Sequence, residues 1–321
     1  MLAEKDCRYI FEWCREFAEL YDKHDRYRRP EEIWISTMAY CSTIGEDIRR
    51  LDYHELIDAA AHAFNWLCTF VTACNNTKDP LFRCENDFCD IVFFKFPEVC
   101  GHCLKGKCDC DSYEMDKKKD KISKYLELYE KWKHFPEKKY RIEGWIKTFK
   151  KIYKGRIHLM TLDSIGFHFL EEAGEEIRAI RELIQMRGVV NEKIEGVDYN
   201  FFRKSYNISG LVEQYQKCMS VLKKKEEDKP NIDITSLDPK HIKARIVKGK
   251  MDLVVEFADT FSWFCAILIK LEMISEGLNL DYNIYKLEQY LIDIYGPKGN
   301  KIKCPRCEST DCKCIFFRAE K

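Results

Sequence analysis

The spacing Cys-x2-Cys-x4-Cys-x-Cys occurs twice in this chain, at Cys100, Cys103, Cys108 and Cys110 and again at Cys304, Cys307, Cys312 and Cys314. Four cysteines repeated at one spacing signal an internal duplication, and a duplication constrains the fold more than any single element does. Two weaker matches agree with it. AFNWLCTF from Ala63 to Phe70 parallels TFSWFCAI from Thr260 to Ile267, and IGEDIRRL from Ile44 to Leu51 parallels AGEEIRAI from Ala173 to Ile180. The copies are 129 residues apart at glycine (174 − 45), 197 at tryptophan (263 − 66) and 204 at the first cysteine (304 − 100). Each copy therefore reads helix, helix, cysteine cluster, and the second carries 68 extra residues (197 − 129) between its matched helices.

This order divides the chain into a first repeat over 1–113, a charged linker over 114–124 and a second repeat over 125–321, with an insertion at about 184–249. Apolar residues recur at three- and four-residue steps from Leu159 to Leu183 and from Leu253 to Leu271, and no series of alternating strands is evident, so the expected class is all-α. The insertion has to loop out or form helices of its own, as a lid or a substrate-selecting element.

Hydrophobic residues make up 45% and charged residues 34%, a globular composition. Lys+Arg and Asp+Glu both number 54, so no global charge favours nucleic acid, although zinc knuckles often contact it. The N-terminus lacks a signal-peptide layout and no apolar run is long enough for a bilayer, which predicts a cytoplasmic protein without membrane contact. In such a compartment, clustered cysteines hold metal more often than they form disulfides. Each four-cysteine cluster matches a structural Zn²⁺ site, giving two zinc ions per chain. Shared ligands between the clusters, participation of Cys84 and Cys89 in the first, and disulfides all remain open. Cys7, Cys14, Cys41, Cys68, Cys218 and Cys265 fall in apolar helical contexts and read as buried thiols.

Two acidic pairs lie inside the strongest helices: Glu172 with Glu175, and Glu256 with Asp259. Residues at i and i+3 share a helix face, so each helix presents two carboxylates side by side. Four converging carboxylates repel one another unless protons or a hard cation lie among them, and oxygen ligands select Mg²⁺ or Mn²⁺. Such ions serve phosphate chemistry, which makes nucleoside triphosphates the expected ligand class. Lys154, Arg156 and Lys303 are candidate phosphate contacts, His168 lies one turn before Glu172, and Phe167 or Trp263 could stack on a base.

LEEAGEE from Leu170 to Glu176, followed by EFAD from Glu256 to Asp259, resembles the EExxE…ExxD motif of the MazG-like, all-α nucleoside triphosphate pyrophosphohydrolases. The resemblance covers roughly 153–184 and 250–296. It implies Mg²⁺-dependent hydrolysis of a nucleoside triphosphate to the monophosphate and pyrophosphate, serving nucleotide-pool house-cleaning. It also implies Glu172, Glu175, Glu256 and Asp259 as metal ligands and Glu171 as an accessory acid. Members of that family have a short connection between the motif helices, whereas 81 residues (256 − 175) separate them here. In the first repeat Glu46 matches Glu175, but Thr43, Ala59 and His62 stand where Glu172, Glu256 and Asp259 stand in the second. The expectation is a pseudo-dimeric bundle within one chain, with one working site and one inert partner; a second copy of the whole chain could also associate. The alternative is a catalytically weak nucleotide- or nucleic-acid-binding zinc protein on the same scaffold.

Overall fold

A computed structural model describes residues 7–110, 121–132, 140–191, 206–226, 238–277 and 285–314. The described residues form helices and no strand: α1 Ile10–Asp25, α2 Pro30–Arg50, α3 Tyr53–Asn76, α4 Phe88–Lys95, α5 Lys121–Trp132, α6 Ile142–Leu159, α7 Leu162–Asn191, α8 Ile208–Glu226, α9 Pro239–Gly277 and α10 Tyr285–Tyr295. Residues 111–113 of the first repeat, 114–120 of the linker, and 192–205 and 227–237 of the insertion lie outside the described residues. No described helix is long and apolar enough to cross a membrane.

Local chemistry sets the helix starts. Glu12 Oε2 accepts the Tyr9 backbone N–H at 2.8 Å to open α1, and Glu32 Oε2 accepts the Arg29 N–H at 2.9 Å to open α2, with Pro30 at the first helical position. Asp52 caps α3 and Asp87 caps α4. Asp238 Oδ1 accepts the N–H groups of Lys240 and His241 at 3.0 Å, and Pro239 begins α9.

The contacts between helices recur in matched pairs. α2 packs on α3 as α7 packs on α9; α1 packs on α3 as α6 packs on α9; and α2 packs on α7 between the repeats. The last helix of each repeat crosses over: α4 packs on α9, and α10 packs on α3. A further sequence match joins α1 to α6 at a separation of 132 residues (145 − 13): Ile10, Trp13, Phe17, Leu20 and Tyr21 correspond to Ile142, Trp145, Phe149, Ile152 and Tyr153. Trp13 stacks on Phe17 at 5.3 Å and Trp145 on Phe149 at 5.7 Å, and all four side chains are fully buried. The edge of Tyr295 meets Phe17 at 5.0 Å, while Phe96 meets Phe149 at 5.2 Å. One continuous apolar core runs from Ile10 to Cys312, so the linker separates the repeats in sequence without separating their cores.

Among the described residues, three helices contribute to the insertion. α7 continues past Ile184 to Asn191, α9 begins at Pro239, and α8 packs on α9, α4 and α5.

Candidate functional site

The two cysteine clusters have the same backbone. Cys100 N–H donates to Lys105 O at 2.9 Å, and Cys304 N–H donates to Ser309 O at 2.9 Å. Leu104 and Glu308 both take the left-handed conformation, with φ of 57° and 53°. That is an uncommon region for non-glycine residues, and its recurrence 204 positions apart (308 − 104) marks one loop made twice. All seventeen cysteines are free thiols. Within each cluster the four sulfurs lie within 4.8 Å of one another. Cys100–Cys110 and Cys304–Cys314 are 3.7 Å apart, Cys108–Cys110 3.3 Å and Cys312–Cys304 3.4 Å. A tetrahedral ion with Zn–S bonds of about 2.3 Å sets its sulfurs about 3.8 Å apart, so each cluster could hold zinc from its own four ligands. Cys84 lies elsewhere, donating to Asn75 Oδ1 at 3.0 Å, and Cys89 points at the Tyr140 carbonyl.

One thiol of each knuckle is held below the usual thiol range by backbone N–H groups. The backbone N–H groups of Lys313 and Ser309 bring Cys307 down to about 6. Cys103, against the upward pull of its partial burial, is held below the usual thiol range by the N–H groups of Asp109 and Lys105.

Each knuckle docks on the first helix of the other repeat. Cys108 N–H donates to Ile152 O of α6 at 2.8 Å, and Cys312 N–H donates to Leu20 O of α1 at 3.0 Å. Tyr153 hydrogen-bonds Cys100, and Tyr125 Oη donates to Gly101 O at 2.5 Å. The first knuckle is thereby fixed as one wall of a cavity.

That cavity, about 250 Å³, is lined by the second repeat's acids on one side and by Phe96 and His102 on the other. Glu172 on α7 and Glu256 and Asp259 on α9 bring a carboxylate oxygen each within 4.8 Å of one another. Burial, and then the Asp259 carboxylate, push Glu172 up to about 8. Burial likewise pushes Glu256 up to about 7, with Asp259 adding to it and Lys95 opposing it. Lys95, at the end of α4 in the first repeat, forms a buried ion pair with Asp259. Burial works against its charge, yet Asp259 holds the ammonium above the usual lysine range. One ammonium against three carboxylates leaves the cluster two negative charges in excess when all are ionised.

The other acids differ. Glu175 lines the cavity but pairs with Arg178 and lies outside the tight trio. Glu171 lines it as well, with its carboxylate 3.2 Å from His168 Nδ1. Glu176, one position after Glu175, is 0% exposed, and neither of its oxygens meets hydrogen-bond geometry with a described residue. Burial, and then Glu256, hold it far above the carboxylate range, while Thr260 is the polar group that faces it.

Among the candidate substrate contacts, Arg156 and His168 line the cavity, and His168 stacks on Trp263 at 4.6 Å. Lys154 and Lys303 do not line it. Two residues of helix turn Lys154 about 200° from Arg156, onto solvent. Lys303 belongs to the other knuckle, where its N–H donates to Tyr295 O at 3.3 Å. Phe167 is 71% exposed and outside the lining. No described residue of α8 lines the cavity, so the described part of the insertion braces α9 instead of covering the acids.

Sequence reading missed Lys95, His102 and Glu176. Lys95 had a signal: it is the lone cation in the apolar run Ile91 to Phe96. His102 sits between Cys100 and Cys103, and burial keeps its imidazole below the usual histidine range. Glu176 could be told from Glu175 only by the rotation of α7 against α9.

No protein-family model matches the chain, and no curated protein or solved structure matches it.

Proposed function

We propose that the chain is a divalent-metal-dependent nucleoside triphosphate pyrophosphohydrolase, built as a MazG-like tandem pseudo-dimer with one acidic site and two structural zinc knuckles. The observation that carries this reading is the convergence of Glu172, Glu256 and Asp259 within 4.8 Å, beside a cavity lined by Glu172, Asp259, Arg156 and Trp263. The reciprocal packing of the repeats and the crossed docking of their knuckles support the pseudo-dimer.

Octahedral Mg²⁺ has oxygen ligands about 2.0–2.1 Å away, so its ligands lie about 3–4 Å from one another, and the trio fits that size with little closure. When bound, Mg²⁺ or Mn²⁺ supplies neutralisation of phosphate charge and acidifies an attacking water. Arg156 is placed to take a phosphate oxygen, and the stacked Trp263–His168 pair offers a flat face to a base. Glu175 and Glu171 lie at the cavity outside the trio, placed to orient the water and accept its proton. The water oxygen bonds to the α-phosphorus, the bond from that phosphorus to the bridging oxygen breaks, and pyrophosphate leaves; nucleoside triphosphate and water give the monophosphate and pyrophosphate.

The test is pyrophosphate release from a panel of nucleoside triphosphates with Mg²⁺ or Mn²⁺. Release that falls about 100-fold or more in Glu256→Gln, with unchanged folding, is expected. A folded protein that releases none from any of them would sink the enzyme reading.

A further inference from the structure

A second cavity, about 390 Å³, lies against the second knuckle. It occupies the matched place in the other repeat. Tyr21 stands where Tyr153 stands, Trp66 where Trp263 stands, and Arg306 where His102 stands (306 − 102 = 204). His24 replaces Arg156 (156 − 24 = 132) and His62 replaces Asp259 (259 − 62 = 197). Of the acid positions only Asp259 is matched by a basic group, His62; Thr43 and Ala59 stand where Glu172 and Glu256 stand. The second cavity is lined by the guanidinium groups of Arg28 and Arg306, the imidazoles of His24 and His62, and one carboxylate, Asp25.

Its polar groups are arranged. The Arg28 guanidinium lies over the Trp66 ring at 5.6 Å and pairs with Asp25 at 3.6 Å. His62 stacks on Tyr40 at 5.0 Å and 24°, with Asp58 3.7 Å from its Nε2. His24 Nε2 lies 3.1 Å from the Cys312 carbonyl, which ties this wall to the knuckle. Arg306 lines the mouth, and among the described residues no carboxylate lies within ion-pair distance of it. A cavity of ~300–1,000 Å³ suits a small-molecule ligand. Planar aromatic faces suit a base, and a guanidinium with adjacent imidazoles suits phosphate oxygens without a metal.

We infer that this cavity is a second ligand site, which binds a nucleoside phosphate through Arg306, Arg28 and the imidazoles of His24 and His62, with its base against Trp66 or Tyr40, and needs no divalent cation. It is separate from the acidic cavity, and its existence does not depend on the hydrolase reading.

Equilibrium dialysis of the full chain against ATP, GTP, CTP and UTP without added divalent metal tests this. At least one should bind saturably at one site per chain, with the matching nucleoside about tenfold weaker or worse, because the phosphate contacts are charge-assisted. Arg306→Ala and Arg28→Gln should each weaken binding about tenfold, read beside an unchanged circular dichroism spectrum and zinc content. Glu256→Gln should leave it within about twofold. No saturable binding up to ~1 mM, binding insensitive to both arginine variants, or binding lost in Glu256→Gln would each overturn the inference.

Discussion

Three carboxylates that share one ammonium must settle their charge through protons or through a cation. In the unfolded chain Glu172 and Glu256 ionise near 4.5; in the fold they ionise near 8 and 7. The folded state therefore binds more protons than the unfolded state between those values, and ∂ΔG/∂pH for unfolding is negative there. The contribution of these two groups is fully present below about 4.5 and is lost as pH rises through 7 to 8. A divalent ion should restore it. Scanning calorimetry should show a larger rise in Tm on adding Mg²⁺ or Mn²⁺ at pH 8 than at pH 5, and Glu256→Gln should flatten the difference. Lys95→Met removes the ammonium paired with Asp259, and breaking a buried pair costs about 3–5 kcal/mol. Urea unfolding should register that loss at pH 8. At pH 5 it should be smaller, since protonated Glu172 and Glu256 no longer repel Asp259. Equal losses at both values would show that the pair acts locally, uncoupled from the cluster. The acids themselves were legible in the sequence, because charges inside strongly apolar helices stand out. Spacing alone chose Glu172 with Glu175, whereas packing turned Glu172 inward, left Glu175 with Arg178 and buried Glu176.

At the scale of elements, each knuckle is a cavity wall as well as a four-cysteine loop that could hold a metal. The first carries His102 into the acidic cavity and hydrogen-bonds Tyr153; the second carries Arg306 into the other. Two zinc equivalents per chain are expected by mass spectrometry, falling to one in Cys304→Ser/Cys307→Ser and to one in Cys100→Ser/Cys103→Ser. Only the first-knuckle variant should abolish pyrophosphate release, because only that knuckle touches the acidic cavity. If the two variants lose activity equally, the knuckles act through global stability. The cysteine spacing disclosed these loops in advance because the same four-cysteine spacing recurs 204 residues on (304 − 100). The kinship of α1 and α6 is faint in the sequence, since it rests on scattered positions such as Trp13/Trp145 and Phe17/Phe149 that come together only in the core. The insertion was legible as extra length; that it lengthens α7 and α9 and adds α8 as a brace depends on contacts far apart in sequence.

At the scale of the molecule, the repeats exchange parts. α4 lies on α9, α10 lies on α3, and each knuckle hydrogen-bonds the other repeat's first helix. Each repeat lends its last helix to the other's core. Expressed separately as 1–118 and 119–321, the two pieces should be insoluble or molten alone and should co-purify as a one-to-one complex when made together. A well-folded isolated first piece, with sharp thermal unfolding, would show that the exchange is incidental. The crossing also gives the chain a direction in time. When the ribosome has delivered the first knuckle, the α6 carbonyl that receives Cys108 is still 44 residues (152 − 108) from being made. When it delivers the second, the α1 carbonyl that receives Cys312 was made 292 residues (312 − 20) earlier. The first loop must wait for its seat, and the second finds its seat long prepared. The second loop thus closes over a helix made long before it.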